Sequence, residues 1–179
     1  GKDKINASVL FPNQVIAPLL SGYDDLTNLN TMQAQWDALP DYMEGSTERI
    51  LPVCDVSGSM TGLPMEVSIA LGIYISTRNV GPFQNAIMTF SENPEMHIIE
   101  GSNIYDQVDN LSKADWGMNT NLVATFEEIL DHAVEYEVHE DEMPTKILII
   151  SDMEFDSCGT HTNLEFTKRR YEKAGYILP

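Results

Sequence analysis

A chain of 179 residues with 42% hydrophobic residues is long enough for one domain to bury its own core without staples. Its 28 Asp and Glu against 10 Lys and Arg leave a formal charge of −18, which repels phosphate backbones and anionic bilayers and favours cations and basic partners. Direct nucleic-acid binding and membrane docking are therefore not expected. Cys54 and Cys158 are the only cysteines, which excludes a disulfide framework. No apolar run approaches the roughly 20 residues that span a bilayer, and no signal peptide is visible, so a cytoplasmic protein with reduced thiols is expected.

Residues 1–48 read as a helical leader packed on a main domain of residues 49–179. The leader carries Pro12, Pro18 and Pro40, apolar patches at Val15-Ile16 and Leu19-Leu20, and a helical spacing of Met32, Trp36 and Leu39. A first strand is expected over Ile50 to Asp55. Residues Pro64 to Asn79 are apolar nearly all round, as in a helix buried against a sheet. Asn85 to Ser91 and Met96 to Glu100 read as strands joined by the turn signal Glu92-Asn93-Pro94. A short helix over Ile104 to Leu111 follows, then an amphipathic one over Asn121 to Tyr136. Val138 to Met143, with Glu140-Asp141-Glu142, reads as a solvated loop. Lys146 to Ser151 is a continuous aliphatic run of the kind buried on both faces. Leu164 to Ala174 is a helix whose Lys168-Arg169-Arg170 cluster forms a solvent face, and Tyr176 to Pro179 begins another strand.

Strands alternating with helices imply an α/β fold, a doubly wound, mostly parallel sheet flanked by helices. Ligands of such sheets bind beyond the carboxyl ends of the strands. Two acids fall there, Asp55 after the first strand and Asp152 after the aliphatic run. The pattern Asp55-x-Ser57-x-Ser59 puts one carboxylate and two hydroxyls on alternate residues as the strand breaks at Gly58. Hard oxygens converging with no Lys or Arg nearby in sequence suit a small divalent cation.

Asp55-x-Ser57-x-Ser59, the loop Asn119-Thr120-Asn121 before an amphipathic helix, and Asp152 at a later strand end resemble the metal-ion-dependent adhesion site of von Willebrand factor A domains, which are Rossmann-like. The resemblance covers residues 50–179. It implies Mg2+, or Mn2+ or Ca2+ in its place, held by Ser57 and Ser59, with Thr120 joining in one coordination state and Asp55 and Asp152 acting directly or through water. It also implies a protein partner whose Asp or Glu fills the remaining position on the metal, and no enzymatic turnover. The leader from Ile5 to Pro12, the pair Gln35-Trp36, and the stretches Ile150 to Phe155 and Tyr171 to Tyr176 are most similar to the A-domain portion of Ro/TROVE-type ribonucleoproteins. The RNA-binding ring of that group has no counterpart in these residues. Many A domains run through two further strands after the second acid, whereas these residues stop near the start of the first, so either a fragment or a shortened version with an exposed sheet edge is expected.

Plainer roles compete at each position. Asp55 could cap its loop, Ser57 and Ser59 could be turn and N-cap residues for the helix after Pro64, and Thr120 could cap the helix from Asn121. Glu154 and Asp156 alternate with Asp152 as rim groups. Met60, Met118 and Met153 pack or form an apolar collar, and His97, His132, His139 and His161 have no ligand spacing. The rival activity is a Mg2+-dependent phosphatase-like hydrolase using Asp55 and Asp152. That chemistry wants a second acid two residues after the first, where Ser57 stands. No P-loop, nucleophile elbow or dinucleotide fingerprint is present.

Overall fold

A computed structural model describes residues 10–22, 28–91, 93–114, 121–152 and 160–179, the side chains of 160–163 excepted. Within these the chain runs α1 (Pro12–Leu20), α2 (Leu29–Asp37), β1 (Ile50–Cys54), α3 (Leu63–Arg78), β2 (Ala86–Thr89), β3 (Met96–Ile98), α4 (Ile104–Ser112), α5 (Leu122–Glu135), β4 (Lys146–Ile150) and α6 (Thr160–Ala174). The sheet order is β3-β2-β1-β4. β1 lies parallel to both β2 and β4, and β2 turns back antiparallel into β3. The expected α/β fold with a mostly parallel, helix-flanked sheet is therefore the observed one.

Period-2 alternation splits the core between two faces of this sheet. Leu51 and Val53 of β1 and Ala86 and Met88 of β2 pack with Ile129, Leu130 and Ala133 of α5 and Tyr171 of α6. Cys54 and Ile87 point the other way, into α3 (Ile69, Ala70, Ile73), the α4 residues Ile104 and Val108, and the leader residues Val15, Ile16, Trp36 and Leu39. The leader thus supplies part of one core layer. α3 approaches β1 closely at Gly72, where a Cβ would come within 2.5 Å of Cys54 Sγ. β1 pairs with β2 only from Val53 on, one residue past Pro52, which has no N–H to give. Below that point the Asn79 amide donates to Ile50 O (3.3 Å).

Three expectations are corrected. The aliphatic run of β4 is not covered on both faces, because β4 is an edge strand. Ile147 and Ile149 pack toward α5 and α6, while Leu148, on the other face, is 37% exposed. Residues 138–143 are not wholly solvated: a short 3-10 turn carries Glu140–Glu142 outward while Val138 and Met143 anchor its ends in the core. Residues 176–179 form no strand. Tyr176 N–H instead closes the end of α6 on Tyr171 O (2.9 Å), and its hydroxyl lies 2.8 Å from Val138 O and 3.2 Å from Ala133 O. Among the described residues no helix is long and apolar enough to cross a membrane.

Candidate metal centre

Parallel register places the first acid. Cys54 pairs with Ile150, and the ladder runs one step further, with Asp55 N–H donating to Ile150 O (3.0 Å). Asp55 therefore lies beside Ser151 at the carboxyl edge of the sheet. Its carboxylate is only 1% exposed. A carboxylate so buried needs partners, and both oxygens have one. Oδ1 accepts the Ser57 N–H (2.8 Å) and Oδ2 accepts the Ser151 hydroxyl (2.6 Å).

The first of these bonds folds the chain back after β1, into a 3-10 turn over Gly58–Met60 whose Met60 side chain is buried as an anchor. Ser57 and Ser59 then emerge on the same side, their Oγ atoms 3.1 Å apart. Ser59 Oγ in turn donates to Asp152 Oδ1 (3.2 Å). Four of the five expected ligands, Asp55, Ser57, Ser59 and Asp152, are thus joined in one network that closes over the β1–β4 edge. Neither serine caps α3: its N-cap is Gly62, whose φ of +89° suits a glycine.

Thr120 lies outside the described residues, as do Met118, Met153, Glu154, Asp156 and Cys158. The cap considered for Thr120 is supplied by Asn121, whose side chain accepts the Ala124 N–H (3.1 Å). Asn121 N–H also donates to Ser91 O (3.2 Å), which ties the start of α5 to the loop after β2. Ser151 is the residue that reading the sequence missed. The adjacent pair Ser151-Asp152 was the available signal, and only the strand register shows that the serine, not the acid, sits level with Asp55.

The donor set is all oxygen. Among the described residues no three His, Cys, Asp or Glu side chains cluster, so a cation here would be held by two carboxylates together with hydroxyls and water. Octahedral Mg2+ with oxygens at 2.0–2.1 Å spaces neighbouring ligands about 2.9 Å apart, and Ca2+ in the same geometry about 3.4 Å. The Ser57–Ser59 and Ser59–Asp152 separations, 3.1 and 3.2 Å, fall between these values. Cys54, next to the site in sequence, is not a candidate ligand. Burial, reinforced by the Asp55 charge, pushes its thiol up to about 12, and it points into the opposite core toward Ser68 O (3.6 Å).

Residues 49–179 match the family described as Domain of unknown function (DUF7788). The chain is also similar to the uncharacterized protein L728 of Acanthamoeba polyphaga mimivirus, 34% identical over 184 residues that cover 100% of this chain and 32% of that protein. The likeness to L728 therefore runs through α1 and α2, which precede the family match, and the chain spans about a third of that relative's length. No solved structure matches. With all four strands and the whole Asp55–Asp152 network inside the matched region, the chain belongs to the DUF7788 family.

Proposed function

We propose that the chain is a non-enzymatic, divalent-metal-dependent protein-interaction module of the von Willebrand factor A type, similar to the A-domain portion of Ro/TROVE-type ribonucleoproteins. The observation that carries this reading is the convergence of Ser57, Ser59 and Asp152 oxygens at ligand-like spacing above the buried Asp55. Mg2+, or Mn2+ or Ca2+ in its place, would be held by the two serine hydroxyls, by Thr120 in one state, and by Asp55 and Asp152 directly or through water. A cation held there would supply a positive centre with a replaceable water, whose place a partner's Asp or Glu would take. Two carboxylates balance the ion's charge while the neutral hydroxyls keep it able to accept an outside acid. Both Asp55 oxygens already accept hydrogen bonds, which favours a structural and electrostatic role over nucleophilic attack. The −18 charge supports no nucleic-acid contact on this chain.

Thermal unfolding after chelation, with and without added Mg2+, tests the reading. A cation at a hundredfold excess over its dissociation constant stabilises the fold by about 2.7 kcal/mol. The shift should vanish in Ser59→Ala, an exposed position whose loss leaves the core intact, and in Asp55→Asn. Equal unfolding temperatures with and without Mg2+ would refute the proposal.

A further inference from the structure

On the face opposite the leader, α5 and α6 leave an open groove of about 690 Å³ between them. Leu130 and Val134 of α5 and Phe166 and Ala174 of α6 form its apolar part, Asp131 lines the α5 side, and Arg169, Arg170 and Lys173 line the α6 side. Helical spacing makes this one strip: on α6 the residues 166, 169, 170, 173 and 174 share a face, and Thr167 and Tyr171 turn inward to the core. Phe166 is 60% exposed and Val134 52%. Large apolar side chains left open beside one another in this way mark a binding surface more often than chance decoration.

Charge says what kind of segment fits. Of the chain's 10 Lys and Arg, four (Lys168, Arg169, Arg170 and Lys173) lie within six consecutive positions of α6. Arg170 is engaged by Glu127 (2.5 Å) and Asp131 (3.6 Å), but among the described residues neither Arg169 nor Lys173 has a carboxylate within 4.0 Å. On a molecule of net charge −18, a lining of three cations against one carboxylate, Asp131, is a local reversal of sign. From Phe166 to Ala174 the strip is about 12 Å long, two helical turns. A second copy of the chain would bring another −18 charges to the contact. A short acidic segment brings only a few, which are screened beyond about 10 Å at 0.1 M salt.

We infer that the α5–α6 groove is a docking site for an acidic amphipathic segment of a partner protein, with apolar anchors at i and i+4 lying over Leu130, Val134 and Phe166 and carboxylates meeting Arg169 and Lys173. This surface is separate from the cation site at the sheet edge and does not depend on it.

The test is selection of displayed random peptides of about 16 residues on the 179-residue chain in EDTA, which keeps carboxylate capture by a metal out of the readout. Enriched peptides should pair apolar residues at helical spacing with Asp or Glu. The best of them, synthesised, should bind at least fivefold more weakly to Arg169→Glu/Lys173→Glu and to Phe166→Ser, with Ser59→Ala unchanged. Reversing the peptide's acids to Lys should restore binding to the charge-reversed variant. Enrichment of basic or purely polar peptides, no enrichment, or less than a fivefold effect of either groove variant would overturn the inference. So would a single-stranded RNA of similar length that binds the groove more tightly than the peptide.

Discussion

Gly72 and Cys54 show how a single contact sets the distance between a helix and the strand that carries the site. In an ordinary helix position, Gly72→Ala gains up to about 1 kcal/mol of helix propensity. Here the new methyl would meet Cys54 Sγ at 2.5 Å, with Cys54 fully buried and Gly72 buried, so overpacking decides the sign. Gly72→Ala should destabilise the fold by about 1–3 kcal/mol in urea titration, and Cys54→Ala should relieve most of that in the double variant. Additive losses in the double variant would contradict the close approach. At this scale the convergence at the candidate site was legible, because Asp55, Ser57 and Ser59 stand on alternate residues and bringing them together needs only one turn. Ser151 was not, because its bond to Asp55 (2.6 Å) comes from a ladder between residues 96 positions apart.

Elements were legible where the apolar spacing was long and regular, as in α3 and α5, whose ends fall within one residue of expectation. β4 misled because an aliphatic run looks the same at the centre of a sheet as at its edge. Sheet order decides its cover, and sheet order is set by pairing, not by composition. The short 3-10 turn after α5 looks solvent-facing in sequence because three acids outweigh the two apolar residues at its ends. In α5, His132 packs between Phe83 and Tyr136, with ring centroids 5.7 and 4.4 Å away. Burial holds its imidazole below the usual value, with the Glu135 charge opposing. The unfolded chain therefore takes up this proton first as pH falls. The histidine's contribution is intact above the ordinary value of about 6.5 and is lost as pH drops below it toward the folded value. The urea midpoint should fall less between about pH 7.5 and about pH 5.5 in His132→Gln than in the native chain. An equal fall in both would show that His132 is not responsible.

Across the whole molecule, the two core layers and the −18 charge act on different things. Burial on both sheet faces fixes the architecture, which alternating strand and helix signals made readable. The charge governs association, and its uneven placement was readable only as a cluster in sequence. Structure adds that the α6 cations flank an open apolar groove, whereas the site's oxygens sit at the carboxyl edge of β1 and β4. So acidic a surface attracts cations everywhere, and a held ion has to be distinguished from a diffuse cloud. Substoichiometric Mn2+ followed by amide NMR makes that distinction directly. The expected result is selective broadening of residues 55–60 and 151–152, reversed by excess Mg2+ and absent in Ser59→Ala. Broadening spread over the exposed acids of residues 137–142 and the α5 surface, with residues 55–60 no more affected than these, would contradict a metal held between Ser57, Ser59 and Asp152.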